Sequence, residues 1–317
     1  MISFQINCSD ILRKNKFVIA IVSTFLLLLW VATILSWPFS NDHGCFAWVG
    51  NVILKGKLPY KDAWLVHGPL FYYVYTLAEI LFGNIFWGIR IVDVIFSLLG
   101  FYFTLKIIEC LNISRGRYFA PLLYVLWYYS GGFFYTARSD SFGTVISLIL
   151  MYIVFKNSIQ NLYSFKYGII AGILCGILPL FKTPYFLFVL IPIIVSFSFS
   201  NRKVTIKKPF LYGTVIGVIL IFLSAIIWAS YYDLIPDMII LHTKILPNYA
   251  FSYGNPSFML HLNGVLEFFA DIKNLNFSKS FALGFAVIGV LKYSKIARGK
   301  VFLLGLWSFV SLLIVIT

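Results

Sequence analysis

The sequence predicts an all-α, polytopic transmembrane protein of about nine spans, on three observations. The 317 residues are 61% hydrophobic and only 11% charged, where soluble domains run at about 45–50% apolar and about 25% charged. The apolar residues fall into runs near the ~20 that cross a bilayer core of about 30 Å. The basic residues sit in the turns between alternate runs, the positive-inside pattern. That distribution also argues against nucleic acid as the partner, which a net charge of +14 would otherwise suggest.

In order, the predicted spans are 17–37, 85–105, 118–137, 141–155, 167–181, 183–200, 209–231, 277–293 and 301–317. The first is too long for a cleavable signal, and no small-residue cleavage pattern follows it. With the N-terminus inside, the inner segments hold 16 of the 25 Lys and Arg, among them Lys14, Lys106, Lys166, Lys207 and Lys295. Asp42, Asp62, Glu79, Asp140, Asp233 and Asp237 fall outside or near outer ends. The chain 1–317 therefore reads as a single transmembrane domain with two large outer loops, 38–84 and 232–276.

Within the first loop, residues 69–83 form an apolar stretch of 15 residues, about 22 Å as a helix. If it crossed, the basic-inside pattern downstream would invert. It is predicted to lie in the outer interface, with Phe71, Tyr72, Tyr73 and Tyr75 at headgroup depth. In the second span, Arg90 and Asp93 share a helical face and are expected to form an internal ion pair. Gly168, Gly172 and Gly176 make a helix-packing stripe. Cys8, Cys45, Cys110 and Cys175 lack metal-ligand spacing, and only Cys45 is placed outside, so no intramolecular disulfide is expected.

Three outer features carry charge at similar depth: Asp42-His43 after the first span, Arg138-Ser139-Asp140 between the third and fourth, and Lys182-Thr183-Pro184 between the fifth and sixth. Charges this close to hydrocarbon are costly and are functional candidates by default. Each has a plain structural alternative. Asp42 suits a helix cap, Arg138 and Asp140 a hairpin tip, and Lys182 a snorkelling side chain or a helix C-terminus. Lys182 departs from the positive-inside pattern, which favours function. His43 and His67 have no neighbours at ligand spacing, so no cofactor is expected and a divalent metal is not indicated.

At these residues the sequence resembles the GT-C superfamily of integral-membrane glycosyltransferases, in the branch of bacterial protein mannosyltransferases and aminoarabinose transferases. That family carries an acid soon after its first span, then a pattern of the kind D…(W/Y)…G…PY-x-D…HPP(L/M)…LFG…R. Here it runs through Asp42, Trp48, Lys55 to Asp62 (KGKLPYKD), His67-Gly68-Pro69-Leu70, Leu81-Phe82-Gly83 and Arg90. A later acid matches Asp140, and a lysine at the next outer turn matches Lys182. The resemblance covers about residues 17–200. The chain departs from it in His-Gly-Pro for His-Pro-Pro and in Asn41 where a second acid would stand beside Asp42. It also ends inside an apolar run at Thr317 where relatives continue, so a truncated chain is one reading.

The resemblance implies a sugar donor on a polyprenyl phosphate or diphosphate and an acceptor hydroxyl on lipid, glycan or protein. It implies a site on the outer face of a bacterial inner membrane, with the N-terminus cytoplasmic. Asp42 would be the general base and Asp140 would orient the acceptor or a cation. Arg138 and Lys182 would hold the donor phosphate, and His43, Asp62, His67 and Tyr249 would contact substrate. One base acting from the back face implies inversion. The runner-up is a transporter or flippase of a lipid-linked substrate, which broken midplane helices and internal repeats would favour. Neither is read here. A third reading, a non-catalytic membrane scaffold, predicts that Asp42, Arg138 and Lys182 diverge in space.

Overall fold

A computed structural model describes residues 25, 28–63, 66–83, 85–113, 117–130, 132–200, 203–245, 305–308 and 310–311. Residues 28–35 are helical and lead through an extended stretch into α1 (Asn41–Leu54). Then come α2 (Pro69–Phe82), α3 (Ile85–Cys110), α4 (Phe119–Ser130), α5 (Ser139–Gln160) and α6 (Phe165–Ile177). A 3₁₀ run, Thr183–Val189, passes into α7 (Leu190–Ser196), and a short hairpin of β1 (Phe197–Ser200) and β2 (Lys203–Ile206) leads into α8 (Lys208–Tyr231). α9 (Ile235–Ile240) follows, and residues 305–308 and 310–311 are again helical.

α3, α5 and α8 are long and apolar enough to cross a membrane; α3 and α8 turn most of their hydrocarbon outward, while α5 is largely buried among the other elements. On α8, Ile216, Ile219, Leu220, Leu223, Ile226 and Ile227 are exposed. An apolar surface this extensive has no place in water. Together with the apolar helices it marks an integral membrane protein.

Two predicted spans differ from the structure. The run 118–137 is helical only to Ser130. Gly132 then turns at φ +70, Phe133–Tyr135 is a 3₁₀ turn, and Ala137 is left-handed. Gly132 is the reason, since glycine adopts the positive φ that a helix interior does not. The run 183–200 leaves helix after Ser196, and its last four residues pair with Lys203–Ile206. The span 277–293 and most of 232–276 lie outside the described residues, as does Tyr249.

The direction of the helices places the site. Phe96 packs on Phe142 and Phe103 on Tyr152, so α3 and α5 run the same way. A β-carbon on Gly168 would meet the Phe210 carbonyl at 2.2 Å, one on Gly172 the Thr214 carbonyl at 2.1 Å, and one on Gly176 would meet Ile221. α6 and α8 are therefore parallel and nearly in backbone contact. The stripe read in the sequence meets a reciprocal pair, Gly213 and Gly217, on α8. At one end of these helices lie Arg90, Asp93, Ser139 and Leu180. At the other lie Lys106, Lys156, Lys166 and Lys207.

Both ends of α2 sit at the first of these ends. Its cap Gly68 abuts Leu180, and its Ala78 carbonyl abuts Gly88 at the start of α3. Pro69 at its first position has no N–H to leave unpaired, and left-handed Gly83 closes it by donating to the Glu79 carbonyl.

The α6–α8 contact tolerates no side chain. Gly172→Leu is expected to lower the melting temperature in detergent, overpacking of this kind costing about 1–3 kcal/mol or more. Gly44→Ala, at an exposed position of α1 where a methyl meets nothing within 4 Å, is expected to leave the melting temperature unchanged or raise it. Equal melting of the two variants would mean that this contact does not hold the bundle.

Candidate functional site

The site is built on the irregular segment between α4 and α5. Ala137 sits in the left-handed region at φ +53 and is fully buried. For a residue with a β-carbon this costs about 1–2 kcal/mol. Four buried polar groups hold the segment there. Asp93 accepts the Ala137 N–H at 2.8 Å, and Tyr75 donates to the Ala137 carbonyl at 2.8 Å. Arg90 donates to Thr136 Oγ1 at 2.5 Å, and His43 Nε2 donates to the Thr136 carbonyl at 2.6 Å.

Arg90 and Asp93 thus correct the expected ion pair. They form no direct bridge. Arg90 ties Thr136 to the Pro38 carbonyl (2.8 Å), and Asp93 takes the Ala137 amide and the Tyr128 hydroxyl. Both charges bond to backbone and hydroxyl groups of the site segments, while Arg90 Nε and Asp93 Oδ2 have no hydrogen-bond partner among the described residues.

Asp42 does not cap α1. Ser40 does, and His43 completes the capping box. The Ser40 amide can only donate, so His43 Nδ1 accepts it (3.1 Å) and Nε2 carries the proton given to Thr136. Burial drives the His43 imidazole down to about 4, against the pull of the Thr136 bond, and Arg90 and Arg138 add to the fall. With both nitrogens engaged and the side chain fully buried, His43 has nothing left for a substrate. It welds the start of α1 to the site segment.

Freed from capping, Asp42 meets Arg138 at 2.6 Å across 96 residues of chain. Arg138 also lies over the Phe134 ring at 5.2 Å. At the second position of α5, Asp140 accepts Lys182 at 3.0 Å and the Tyr185 hydroxyl at 2.5 Å, both on Oδ1. Tyr185 was not singled out in the sequence. Asp140 also stands in the walls of two cavities, of about 610 and 480 Å³.

His67 lies among these charges. Burial lowers its imidazole to about 4, and Asp140, Lys182, Arg138 and Asp42 all act on it, in that order. Its ring rests against Phe46 and Phe71, each at 5.1 Å, and its backbone is bracketed by the hydroxyls of Tyr60 and Tyr72. Gly68 explains the departure from His-Pro-Pro. A β-carbon there would lie 2.2 Å from the Leu180 carbonyl, and the Gly68 N–H donates to the Phe181 carbonyl at 3.1 Å. Proline would lose that bond and clash. The contact fixes the start of α2 against the turn that presents Lys182.

Asp62 is not brought to this group by any of its bonds. It accepts the Leu58 N–H at 2.8 Å and pairs with Lys57 at 3.7 Å, closing its own turn. Asp42, Arg138, Asp140 and Lys182 converge around His67, which removes the divergence a scaffold would require. Among the described residues no group of three or more His, Cys, Asp or Glu is placed to hold a metal.

Residues 66–228, 163 of the 317, match the family described as dolichyl-phosphate-mannose-protein mannosyltransferase. The matched stretch takes in His67, Arg90, Arg138, Asp140 and Lys182. Asp42 precedes it. No curated protein and no solved structure matches the chain.

If four bonds hold Ala137 left-handed, its variants separate. Ala137→Gly is expected to stay within about 1 kcal/mol of the parent, conformational relief being offset by a looser unfolded chain. Ala137→Val, β-branched and fully buried, is expected to lose about 1–3 kcal/mol to backbone strain alone. A valine variant that melts with the parent in detergent would mean that the placement of Arg138 does not depend on this turn.

Proposed function

The chain belongs to the dolichyl-phosphate-mannose-protein mannosyltransferase family, and from that premise we propose that it moves a sugar from a polyprenyl-phosphate donor to an acceptor hydroxyl. The observation that carries this reading is the pair of half-exposed ion pairs, Asp42–Arg138 and Asp140–Lys182, gathered about a neutral His67. Half-exposed pairs contribute only about 0–1 kcal/mol to stability. Each can therefore release its cation to an incoming phosphate at little expense.

In the proposed reaction the acceptor oxygen bonds to the anomeric carbon from the face opposite the phosphate, giving inversion. The bond from that carbon to the phosphate oxygen breaks, and its electron pair leaves with the phosphate. The acceptor proton passes to Asp42. Asp140, held by Lys182 and Tyr185, orients the acceptor. Arg138 and Lys182 stabilise the charge that develops on the leaving phosphate, Arg through its planar fork. His67 offers an uncharged ring nitrogen within the same group. The lipid tail stays in the bilayer at about 0.8 kcal/mol per buried CH₂, so the site belongs where membrane and water meet. Family membership weighs against the transporter reading.

The proposed sides follow from the two ends of the helices. The site end faces outward, the lysine end faces the cytoplasm, and α2 lies along the outer interface without crossing. Cysteines placed at Lys57 and Lys207, in a background without other reactive thiols, are expected to react with an impermeant label in intact cells only at position 57. Labelling at 207 alone would reverse the sides.

Asp42→Asn leaves the Ser40 cap in place and removes the proton acceptor together with the negative charge that pairs with Arg138. It is expected to slow transfer by about 10²–10⁴-fold, the usual worth of general acid–base catalysis, with donor binding retained. The comparison is made on purified protein with polyprenyl-phosphate sugars at saturation. Transfer by the variant at the parental rate would dismiss Asp42 as the base. Absence of transfer by the parent from every such donor would dismiss the reaction.

A further inference from the structure

Asp140 and Thr144 stand in the walls of both cavities, so the start of α5 separates the two. The cavity of about 610 Å³ is lined by Lys182, and a phosphate belongs on that side. The cavity of about 480 Å³ has no cation in its walls among the described residues. It lies between α4 and α5, and its walls include Trp127, Tyr128, Tyr135 and Ser141. The proposed reaction gives this second cavity no occupant.

Its rings are accessible. Trp127 is 44% exposed and Tyr135 62%. Phe134 braces the Tyr135 ring edge-on at 5.3 Å, and the Phe134 ring in turn carries Arg138 at 5.2 Å. The Ser141 hydroxyl accepts the Arg138 N–H at 3.2 Å. The cavity therefore adjoins the segment that holds the Asp42–Arg138 pair, where the acceptor gives up its proton.

The walls indicate the class of ligand. The Asp140 side chain is half exposed, and both of its bonds fall on Oδ1, which leaves Oδ2 to accept from a hydroxyl. Thr144 gives its proton to the Asp140 carbonyl and can still accept. Broad aromatic faces beside hydroxyl acceptors complement a sugar ring. The C–H face of the ring packs on the negative face of an aromatic, and its hydroxyls reach the acceptors at the rim. The volume lies within the range of small-molecule sites, about 300–1,000 Å³. An extended peptide needs main-chain partners, but α4 and α5 bond theirs within the helix. A lipid chain would offer nothing to Asp140 or Thr144.

We propose that this cavity receives the acceptor and that the acceptor is a glycan, its sugar ring laid on Trp127 and Tyr135 with the reacting hydroxyl toward Asp140. This rests on the glycosyltransferase reading above and names its acceptor class. Donor phosphate and acceptor ring then approach Asp140 from its two different cavities.

The test measures binding to the 317-residue chain in a detergent without a sugar headgroup. The probes are sugar-free polyprenyl phosphate, an acetylated threonine-rich peptide amide, and the disaccharides mannobiose, cellobiose and chitobiose. The parent is expected to bind at least one disaccharide more tightly than the peptide. Trp127→Leu keeps apolar bulk and removes the flat face. It is expected to weaken that disaccharide by about 3- to 10-fold, the order of one aromatic contact, and to leave polyprenyl phosphate bound as before. Tyr135→Leu repeats the comparison and carries it if the Trp127 variant does not fold. The glycan acceptor is overturned if the peptide binds at least as tightly as the disaccharides, or if no disaccharide binds. Parental disaccharide affinity in both variants also overturns it, that being the behaviour of aromatics that only anchor a membrane interface. So does equal loss of disaccharide and polyprenyl phosphate. Each of these results leaves the glycosyltransferase reading in place. A parent protein that binds no polyprenyl phosphate overturns that reading and the acceptor role with it.

Discussion

The left-handed turn at Ala137 is the constraint on which the rest of the site depends. It reverses the chain between the broken end of α4 and the start of α5, and so puts Arg138 over Asp42 and Asp140 beside Lys182. A residue other than glycine does not hold that conformation unaided. Groups from α1, α2 and α3 hold it, through His43, Tyr75, Arg90 and Asp93. One strained residue is thereby determined by three separate helices, the arrangement in which strain persists at functional sites. The buried charges Arg90 and Asp93 belong to this support and touch neither cation–acid pair directly.

A second tie joins the remaining parts. Gly68 lies against Leu180 and Phe181, immediately before Lys182. His67 and Lys182 are thus positioned by one backbone contact, while Arg138 and Asp140 are positioned by the Ala137 turn. Four charged residues from three distant stretches of chain converge because two close backbone approaches leave no slack between those stretches. The long apolar helices supply the rigid frame, and the outward hydrocarbon of α3 and α8 keeps that frame in the bilayer.

Much of this was legible in the sequence, and the failures have physical causes. The glycine stripe of α6 was visible because helix packing needs small residues at a spacing of four, but its partners Gly213 and Gly217 fall in a run so uniformly apolar that no face stands out. The family pattern led to Asp140, Lys182 and His67. His43, read from the sequence as a substrate contact, is fully buried with both ring nitrogens hydrogen-bonded. Arg90 and Asp93 were paired with each other because helical spacing is visible in a sequence and long-range partners such as Thr136 and Ala137 are not. The break after Ser130 was announced by Gly131-Gly132, yet apolar content alone carried the predicted span across it. Tyr185 gave no signal at all, since one more aromatic in a chain with 19% of them is uninformative until its partner is seen.

The charges of the site suggest why its acids and cations come in pairs. Two carboxylates against two cations leave the site nearly neutral before a donor arrives. A sugar on a lipid phosphate is a diester with one negative charge, and the lipid phosphate released by transfer is a monoester carrying up to about two at neutral pH. In the proposed reaction one negative charge therefore appears on the phosphate as the bond breaks. The acceptor proton arrives on Asp42 in the same event and removes one. Arg138, paired with Asp42 beforehand, loses that partner just when the phosphate beside it gains charge. The Asp42–Arg138 contact becomes an Arg138–phosphate contact with no change in the total charge of the site. In a region bordered by hydrocarbon, where uncompensated charge is expensive, such an exchange lets transfer proceed without recruiting an ion from water.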